Sequence, residues 1–184
     1  METQHAVAQP ALLGQTVVII GGGSGMGLET ARQARAEGAD VILAGRHPER
    51  LEQPARDVGA LAAGKVTPRG SLIFIGSTGH RRPRLGEGVI STVSVATPML
   101  IANLALELEP VRVNLIAPGF VNTPLSARLL GDELERRRGQ LRATLPIGRV
   151  VEPADIGSLA VQIMSNTAIT GATFDIDGGQ QFVE

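Results

Sequence analysis

The segment from Thr16 to Gly38 constrains the fold of this 184-residue chain more than any other part of it. Residues 16–20, Thr-Val-Val-Ile-Ile, form a short β-branched run without charge, which is typical of a strand buried on both faces. The run ends at a glycine-rich turn over residues 21–27, and apolar residues at helical spacing follow, up to Gly38 as the stop. The segment therefore predicts a strand, a glycine turn and a helix in direct succession.

The alternation of strand and helix patterns continues along the chain. A second strand is predicted at residues 41–44, and further strands at 71–75, 111–117 and 172–176. Helices are predicted from residue 48, within 125–144, over 153–164, and over 99–108 with Thr97 as the N-cap and Pro98 at the first helical position. No repeat or linker composition divides residues 1–184. The pattern predicts a single α/β domain, doubly wound around a parallel sheet.

The glycines of the first turn have a spacing that suits phosphate binding. Gly21, Gly25 and Gly27 follow the pattern G-x-x-x-G-x-G. In a nucleotide-binding βαβ unit, such glycines permit a tight turn and let backbone N–H groups approach a pyrophosphate at the helix N-terminus. A glycine cluster can also have a purely steric role in a turn. Its place after a buried strand and before a helix favours dinucleotide binding.

Two further blocks of sequence, taken with the glycine turn, point to one family. Residues 112–114, Arg-Val-Asn, run into residues 118–123, Pro-Gly-Phe-Val-Asn-Thr, and residues 170–171, Thr-Gly, run to Asp-Gly-Gly at 177–179. Together with the glycine turn, and in this order, they resemble the short-chain dehydrogenase/reductase family. The resemblance implies a Rossmann-type fold in which residues 118–123 line the nicotinamide end of the cofactor. The cofactor-binding residues it implies are Gly21, Ser24, Gly25, Met26, Gly27, Arg46, Pro118, Gly119 and Thr123.

The end of the second strand predicts which cofactor is bound. A carboxylate there hydrogen-bonds the adenosine ribose 2′-OH, whereas an arginine pairs with a 2′-phosphate. The chain has Gly45-Arg46 with His47 and Arg50 nearby, and no acidic residue at that turn. The sequence therefore predicts NADP(H), with an exposed basic loop as the alternative.

The chain departs from the family at the active site. The resemblance implies a Ser, a Tyr and a Lys, and Ser77 matches the Ser, but the family's spacing puts Ile90 at the Tyr position and Ser94 at the Lys position. The chain contains no Tyr and a single Lys, Lys65. Hydride exchange with a carbonyl needs a proton donor, and His80 is the local candidate, with an exposed loop histidine as the alternative reading.

Two functions remain open. The first is an NADP(H)-dependent oxidoreductase acting on a carbonyl or alcohol with an atypical site. The second is a catalytically silent NADP(H)-binding sensor, scaffold or partner subunit. The resemblance implies a homodimer or homotetramer, built partly with the helix over residues 99–108, and residues 125–144 would cover the substrate.

The chain is also shorter than the resemblance implies. Between the helix near residue 48 and the strand at 71–75 the family would place two more βα units, or about 60 residues at roughly 30 per unit. One absent strand would lie between the strands at 16–20 and 71–75. We therefore expect a lost stretch near Asp57 to Ala63, visible as a Cα–Cα step far above about 3.8 Å.

Composition excludes several other classes. A formal net charge of −1 gives no basic surface for nucleic acid, and the absence of Cys excludes disulfides and thiolate chemistry. No cluster of His or acidic residues has metal-ligand spacing, so no metal site is expected. Uninterrupted apolar runs are short and the start of the chain does not resemble a signal peptide, so we expect a cytoplasmic protein without a membrane span.

Overall fold

Strands and helices alternate along the chain as the sequence predicts. The computed structural model describes residues 9–20, 23–44, 51–59, 70–81 and 85–183. The elements in chain order are β1 (Thr16–Ile20), α1 (Gly25–Ala36), β2 (Asp40–Ala44), α2 (Glu52–Val58), β3 (Ser71–Ile75), a 3₁₀ turn (Gly79–Arg81), α3 (Gly88–Glu107), β4 (Arg112–Pro118), α4 (Pro124–Leu130), a 3₁₀ turn (Gly131–Glu133), α5 (Leu134–Thr144), α6 (Pro153–Ser165), β5 (Thr173–Ile176) and α7 (Gln180–Val183).

All strand pairs are parallel, and they form two sheets. β1 pairs with β2, with Val17 opposite Val41, and β3, β4 and β5 form a second sheet in that order. The parallel Rossmann-type α/β architecture is confirmed. Among the described strands, β1 and β3 each pair along one edge only.

The composition of the strands distinguishes the outer edges from the inner ones. The outer strands β2 and β5 each carry a carboxylate, Asp40 and Asp175, which is a common protection of sheet edges. β1 and β3 carry no charge and no proline, although each has one edge that pairs with no other described strand. They have the composition of central strands, as expected if a strand between them is absent. The predicted lost stretch near 57–63 extends beyond residue 59, outside the described residues, and stays a prediction.

Helices α1 and α6 hold the two sheets together. Gly157 of α6 lies so close to α1 that an added Cβ would be 2.9 Å from Gln33 Nε2 and 3.3 Å from the carbonyl carbon of Glu29. Gln33 also donates to the carbonyl oxygen of Ala154 at 3.0 Å. The core under these helices includes residues from both sheets, among them Val17, Val41, Ile116, Ile156 and Ile163.

Helix α3 begins eleven residues earlier than the sequence predicts. The prediction of a start at Met99, with Thr97 as N-cap and Pro98 at the first position, is wrong: Pro98 lies inside the 20-residue helix, whose N-cap is Glu87. The apolar and small residues before Pro98 continue the helix, and the Thr97 hydroxyl donates to the carbonyl oxygen of Val93 at 2.6 Å. The C-terminal half packs on β4 through the fully buried Ile101.

α3 is also long and apolar enough, by length and composition, to cross a membrane, with a mean hydropathy of 1.8 over 18 residues. Serines and threonines interrupt its apolar runs, which is why the sequence did not indicate it. Core helices of other proteins meet the same criterion. Much of the apolar surface of α3 is exposed, including Val89, Val93, Met99, Leu100 and Leu106.

Candidate active site

The ends of β3 and β4 are hydrogen-bonded to each other where the candidate site lies. The N–H of Gly76 donates to the carbonyl oxygen of Ile116 at 2.8 Å, and that of Thr78 donates to Pro118 at 3.0 Å. Ser77 therefore lies beside the start of the 118–123 segment. Its hydroxyl oxygen accepts the N–H of Gly79 at 3.0 Å, which fixes its position.

The glycine turn reaches the 118–123 segment from the other sheet. Gly25 has φ +56°, a left-handed conformation that favours glycine, and an added Cβ would lie 3.6 Å from Thr123 Cβ. Ser24 is the extended N-cap of α1 but makes no side-chain cap hydrogen bond, and the first turn, all of it described, has no acidic residue. The N-terminus of α1 thus presents N–H groups and a positive dipole end, as a pyrophosphate requires.

Gly119 is required by close packing. An added Cβ would lie 2.6 Å from Gln180 Oε1 and 2.7 Å from Asp177 Cβ. The Gln180 side chain accepts the N–H of Phe120 at 2.8 Å, and the buried Asp177 carboxylate accepts the N–H groups of Gly179 and Gln181 at 2.8 and 3.0 Å. The Asp-Gly-Gly block therefore holds the backbone of the 118–120 segment in place.

A cavity of about 390 Å³ opens at this point. It is lined by β-strand ends, the start of α3, helices α4 and α5, and the C-terminal turn: Ser77, Thr78, Gly79, Arg81, Glu87, Ile90, Gly119, Phe120, Ser126, Leu129, Leu130, Arg137, Gln180 and Gln181. The segment 125–144 does lie over the cavity, as the sequence predicts.

The structure brings some predicted residues together and leaves others apart. Ser77, Ile90 and Gly119 line the cavity, whereas Ser94 is buried in α3 and is not among the lining residues. Met26 and Gly27 lie in the first turn of α1, and Pro118 ends β4. Gly21, Arg46 and the His80 side chain lie outside the described residues, so their predicted roles stay predictions.

The ionisable lining residues among those described are Arg81, Glu87 and Arg137. Arg81 pairs with Asp175 at 2.8 Å, and Arg137 donates to Gln140 at 3.2 Å. Ile90 contributes only hydrocarbon to the wall, so it cannot exchange a proton with a substrate.

The Arg-Val-Asn block of the sequence has a structural role. The Arg112 guanidinium donates to the carbonyl oxygens of Ile163, Met164, Asn166 and Ile169 at 2.8–3.1 Å, and burial lowers its pKa. It thereby satisfies carbonyl groups at the end of α6 that have no partner within the helix.

The sequence did not indicate Asn122 as a centre of hydrogen bonds. Its N–H donates to Val151 at 2.9 Å, and its side-chain Nδ2 lies 3.0 Å from both carboxylate oxygens of Glu152. Its Oδ1 accepts from Arg138 Nε at 3.1 Å and from Arg138 Nη2. The partners are 16 and 30 residues away in sequence, and no local pattern relates them.

Asp155 stabilises the start of α6 next to this cluster. Its carboxylate accepts the N–H of Glu152 at 2.9 Å and the Arg149 guanidinium at 2.6 and 2.8 Å. The Arg149 hydrogen bond is the largest cause that lowers the pKa of Asp155, and the N–H of Glu152 acts in the same direction, against burial.

Comparisons with known proteins identify the family. Residues 15–68 match the family model described as short chain dehydrogenase, and residues 58–181 match the one described as enoyl-(acyl carrier protein) reductase. The chain is 29% identical over 131 residues to the vibriobactin-specific 2,3-dihydro-2,3-dihydroxybenzoate dehydrogenase of Vibrio cholerae, covering 66% of this chain and 50% of that protein. The chain thus spans about half the length of such curated relatives.

Solved structures share the fold. The MalC reductase/Diels-Alderase of Malbranchea aurantiaca superposes with a TM-score of 0.83 at 20% identity, over 93% of this chain and 98% of that one. The L-sorbose reductase of Gluconobacter frateurii, in complex with NADPH and L-sorbose, has a TM-score of 0.80 at 20% identity, over 96% of this chain and 100% of that one. With family models matched across both halves and the glycine turn placed beside the 118–123 segment, the chain belongs to the short-chain dehydrogenase/reductase family.

Proposed function

We propose that the protein is an NADP(H)-dependent oxidoreductase that acts on a carbonyl or alcohol, with a proton step that differs from that of its family. The observation that supports this most is the approach of Gly25 to Thr123, because it joins a phosphate-binding turn to a cavity that contains Ser77. The L-sorbose reductase with a similar fold was solved with NADPH and a sugar substrate, which is consistent with the proposal.

The residues present fit a dinucleotide. Gly21, Ser24, Gly25, Met26 and Gly27 would hold the pyrophosphate at the N-terminus of α1. Arg46 would pair with the 2′-phosphate of the adenosine ribose. Pro118, Gly119 and Thr123 would line the nicotinamide end of the cofactor. When bound, the cofactor supplies or accepts the hydride.

Ser77 and the water in the cavity would supply the remaining steps, which are orientation of the substrate and delivery of a proton. Ser77 would donate a hydrogen bond to the substrate carbonyl oxygen and so orient the carbon that receives hydride. The developing alkoxide needs a proton, and Ile90 has none to give. Water entering the cavity would supply that proton and leave as hydroxide, which makes slow turnover the expected behaviour.

Two further proposals concern the setting of the protein. We place it in the cytoplasm, acting on a small-molecule substrate. We also propose that copies associate as a homodimer or homotetramer through the exposed apolar surface of α3, which includes Val93 and Leu100.

Cofactor titrations by calorimetry test the binding proposal. We expect NADPH to bind at least about tenfold more tightly than NADH, a difference of about 1.4 kcal/mol. Arg46→Ala should abolish this preference. Arg56→Ala is the matched control, because Arg56 is an exposed arginine ten residues further along the chain, and its described ion pair is with Glu52. Absence of binding by either nucleotide would refute the proposal.

A panel of carbonyl substrates tests turnover separately. NADPH oxidation that falls in Ser77→Ala supports an active oxidoreductase. A different result would favour the silent binding protein instead. In that case NADPH binds tightly, no member of the panel is turned over, and Ser77→Ala leaves the NADPH affinity unchanged.

A further inference from the structure

Helices α4 and α5 cover the cavity but are anchored unequally. Ser126, Leu129 and Leu130 of α4 line the cavity, yet α4 has no buried residue, and Leu129 is 75% exposed. α5 is held at its C-terminal end by Leu141, which is fully buried against Leu145 and Val150. Apolar packing therefore fixes the far end of the cover and contributes little at α4.

Arg138 provides a polar connection from α5 back to the 118–123 segment. Its side chain is 23% exposed, and its guanidinium donates to Asn122 Oδ1 through Nε at 3.1 Å and through Nη2. Its Nη1 donates to Glu135 on the same helix. Two donors of one planar guanidinium on one oxygen define both the position and the orientation of the amide.

The other end of the Asn122 amide is held just as firmly. Its Nδ2 donates toward both oxygens of Glu152, and Val121 forms a bridge with Val151. Arg138 and Glu152 carry opposite charges at opposite ends of one neutral amide, so each strengthens the hydrogen bond of the other. A flipped amide would face its NH₂ toward Arg138 and its oxygen toward Glu152, which both partners oppose.

Asn122 lies between helix α4 and the 118–121 backbone, so a movement of α4 would reach that backbone through it. It lies directly before Thr123, the N-cap of α4, whose hydroxyl accepts the N–H of Ser126 at 3.2 Å in a capping box. It also lies three residues after Gly119. The bond from Arg138 thus acts on the residue that joins the 118–121 backbone to the N-cap of α4.

From this arrangement we infer that Arg138, Asn122 and Glu152 form a latch that holds helices α4 and α5 closed over the cavity, with Arg138 as the positioning residue. The latch depends on the proposed function in one respect, namely that the cavity under α4 and α5 is the site that binds substrate. Its mechanical part can be measured on the protein without any ligand.

Hydrogen exchange of the ligand-free protein tests the latch. In Arg138→Ala we expect amides of residues 124–137 to exchange at least about tenfold faster, since a loss of about 1.4 kcal/mol of local stability gives that factor. The matched control is Arg136→Ala on the same helix, because Arg136 pairs with Glu133 alone among the described residues. Equal exchange in the two variants would overturn the inference.

Conservative variants separate a latch from general destabilisation. Arg138→Lys keeps the charge but loses the two-pronged donor, so its exchange should lie between that of the parent and Arg138→Ala. Asn122→Ala removes the oxygen that accepts from Arg138, so its exchange should match that of Arg138→Ala, and combining the two substitutions should add little further. If Arg138→Ala instead loosens α1 and α6 as much as residues 124–137, the inference is also wrong.

The ligand readout distinguishes failure of the latch from failure of the proposed function. If the enzyme is active, Arg138→Ala should raise KM by about tenfold, the factor that corresponds to about 1.4 kcal/mol, and should change kcat less. If the parent protein proves inactive, faster exchange confined to residues 124–137 still supports the latch.

Discussion

At the scale of single residues, the cavity wall contains Ser77 but offers no proton donor at Ile90, the position that the resemblance assigns to the family's Tyr. Ile90 lines the same cavity as Ser77, while Ser94 is buried out of contact with it. The assignment of Ile90 and Ser94 to the Tyr and Lys positions follows from the family's spacing and stays a prediction. The sequence could not predict Asn122, whose partners come from α5 and from the start of α6.

Restoring the proton donor should increase turnover. Ile90→Tyr with Ser94→Lys places a phenol in the cavity wall and an ammonium one turn away on α3. We expect kcat for NADPH-dependent carbonyl reduction to rise at least about tenfold, which is less than the roughly 10²–10⁴-fold that a well-positioned general acid contributes. Ile90→Phe with Ser94→Lys is the control that lacks the hydroxyl, and equal rates for the two variants would contradict the assignment.

Asp155 makes stability depend on acid pH. The pKa of Asp155 is lowered in the folded state, so the unfolded chain binds the proton more readily. The stabilisation is therefore present above about pH 4, and it is lost as pH falls through the folded pKa. Asp155→Asn should lower the free energy of unfolding by about 1 kcal/mol at pH 7, as for the loss of a helix cap.

Thermal melts from pH 2 to pH 7 measure the effect of Asp155→Asn. The melting curves of parent and variant should converge at the acid end, where the parent's carboxyl is protonated. Asp132→Asn, at an exposed carboxylate, is the control. A gap between parent and Asp155→Asn that is constant with pH would show that the ion pair does not matter.

At the scale of elements, local patterns predicted strands better than helix starts. β1 and β3 have the predicted bounds because uncharged β-branched runs stop at glycines, and β4 begins one residue later than predicted. α3 was mispredicted because Pro98 normally marks a helix start. The short α7 carried no periodic signal.

Replacing the proline inside α3 should stabilise the protein. Pro98 lacks the N–H that would donate to the carbonyl of Ser94, and prolines in helix interiors cost about 3 kcal/mol. Pro98→Ala should therefore raise the free energy of unfolding in urea by roughly 1–2 kcal/mol, part of the gain being offset by a more flexible unfolded chain.

Pro124→Ala is the matched control, since Pro124 occupies the first turn of α4, where no hydrogen bond is lost. A decrease in stability for Pro98→Ala would mean that the proline ring itself is needed for packing.

At the scale of the whole molecule, the uncharged edges of β1 and β3 and the match to only 50% of the Vibrio cholerae dehydrogenase are both expected if a central strand is absent. A chimera that inserts, between α2 and β3, the corresponding strand and helix of the Vibrio cholerae relative should pair both edges. We expect a melting temperature higher by several degrees and slower amide exchange in β1 and β3.

A scrambled insert of equal length and composition controls for the chimera. If the native and scrambled inserts give the same melting temperature, no central strand is absent and the expectation of a lost stretch near 57–63 fails.

The packing of α1 on α6 has a practical consequence. Each sheet carries one of these helices, and the contact at Gly157 and Gln33 is among the closest between elements of the two halves. Two fragments divided between α2 and β3 would each retain a complete strand ladder and one side of this helix pair. Such fragments are suited to complementation assays, in which reassembly through α1 and α6 reports an interaction between two proteins fused to the fragments.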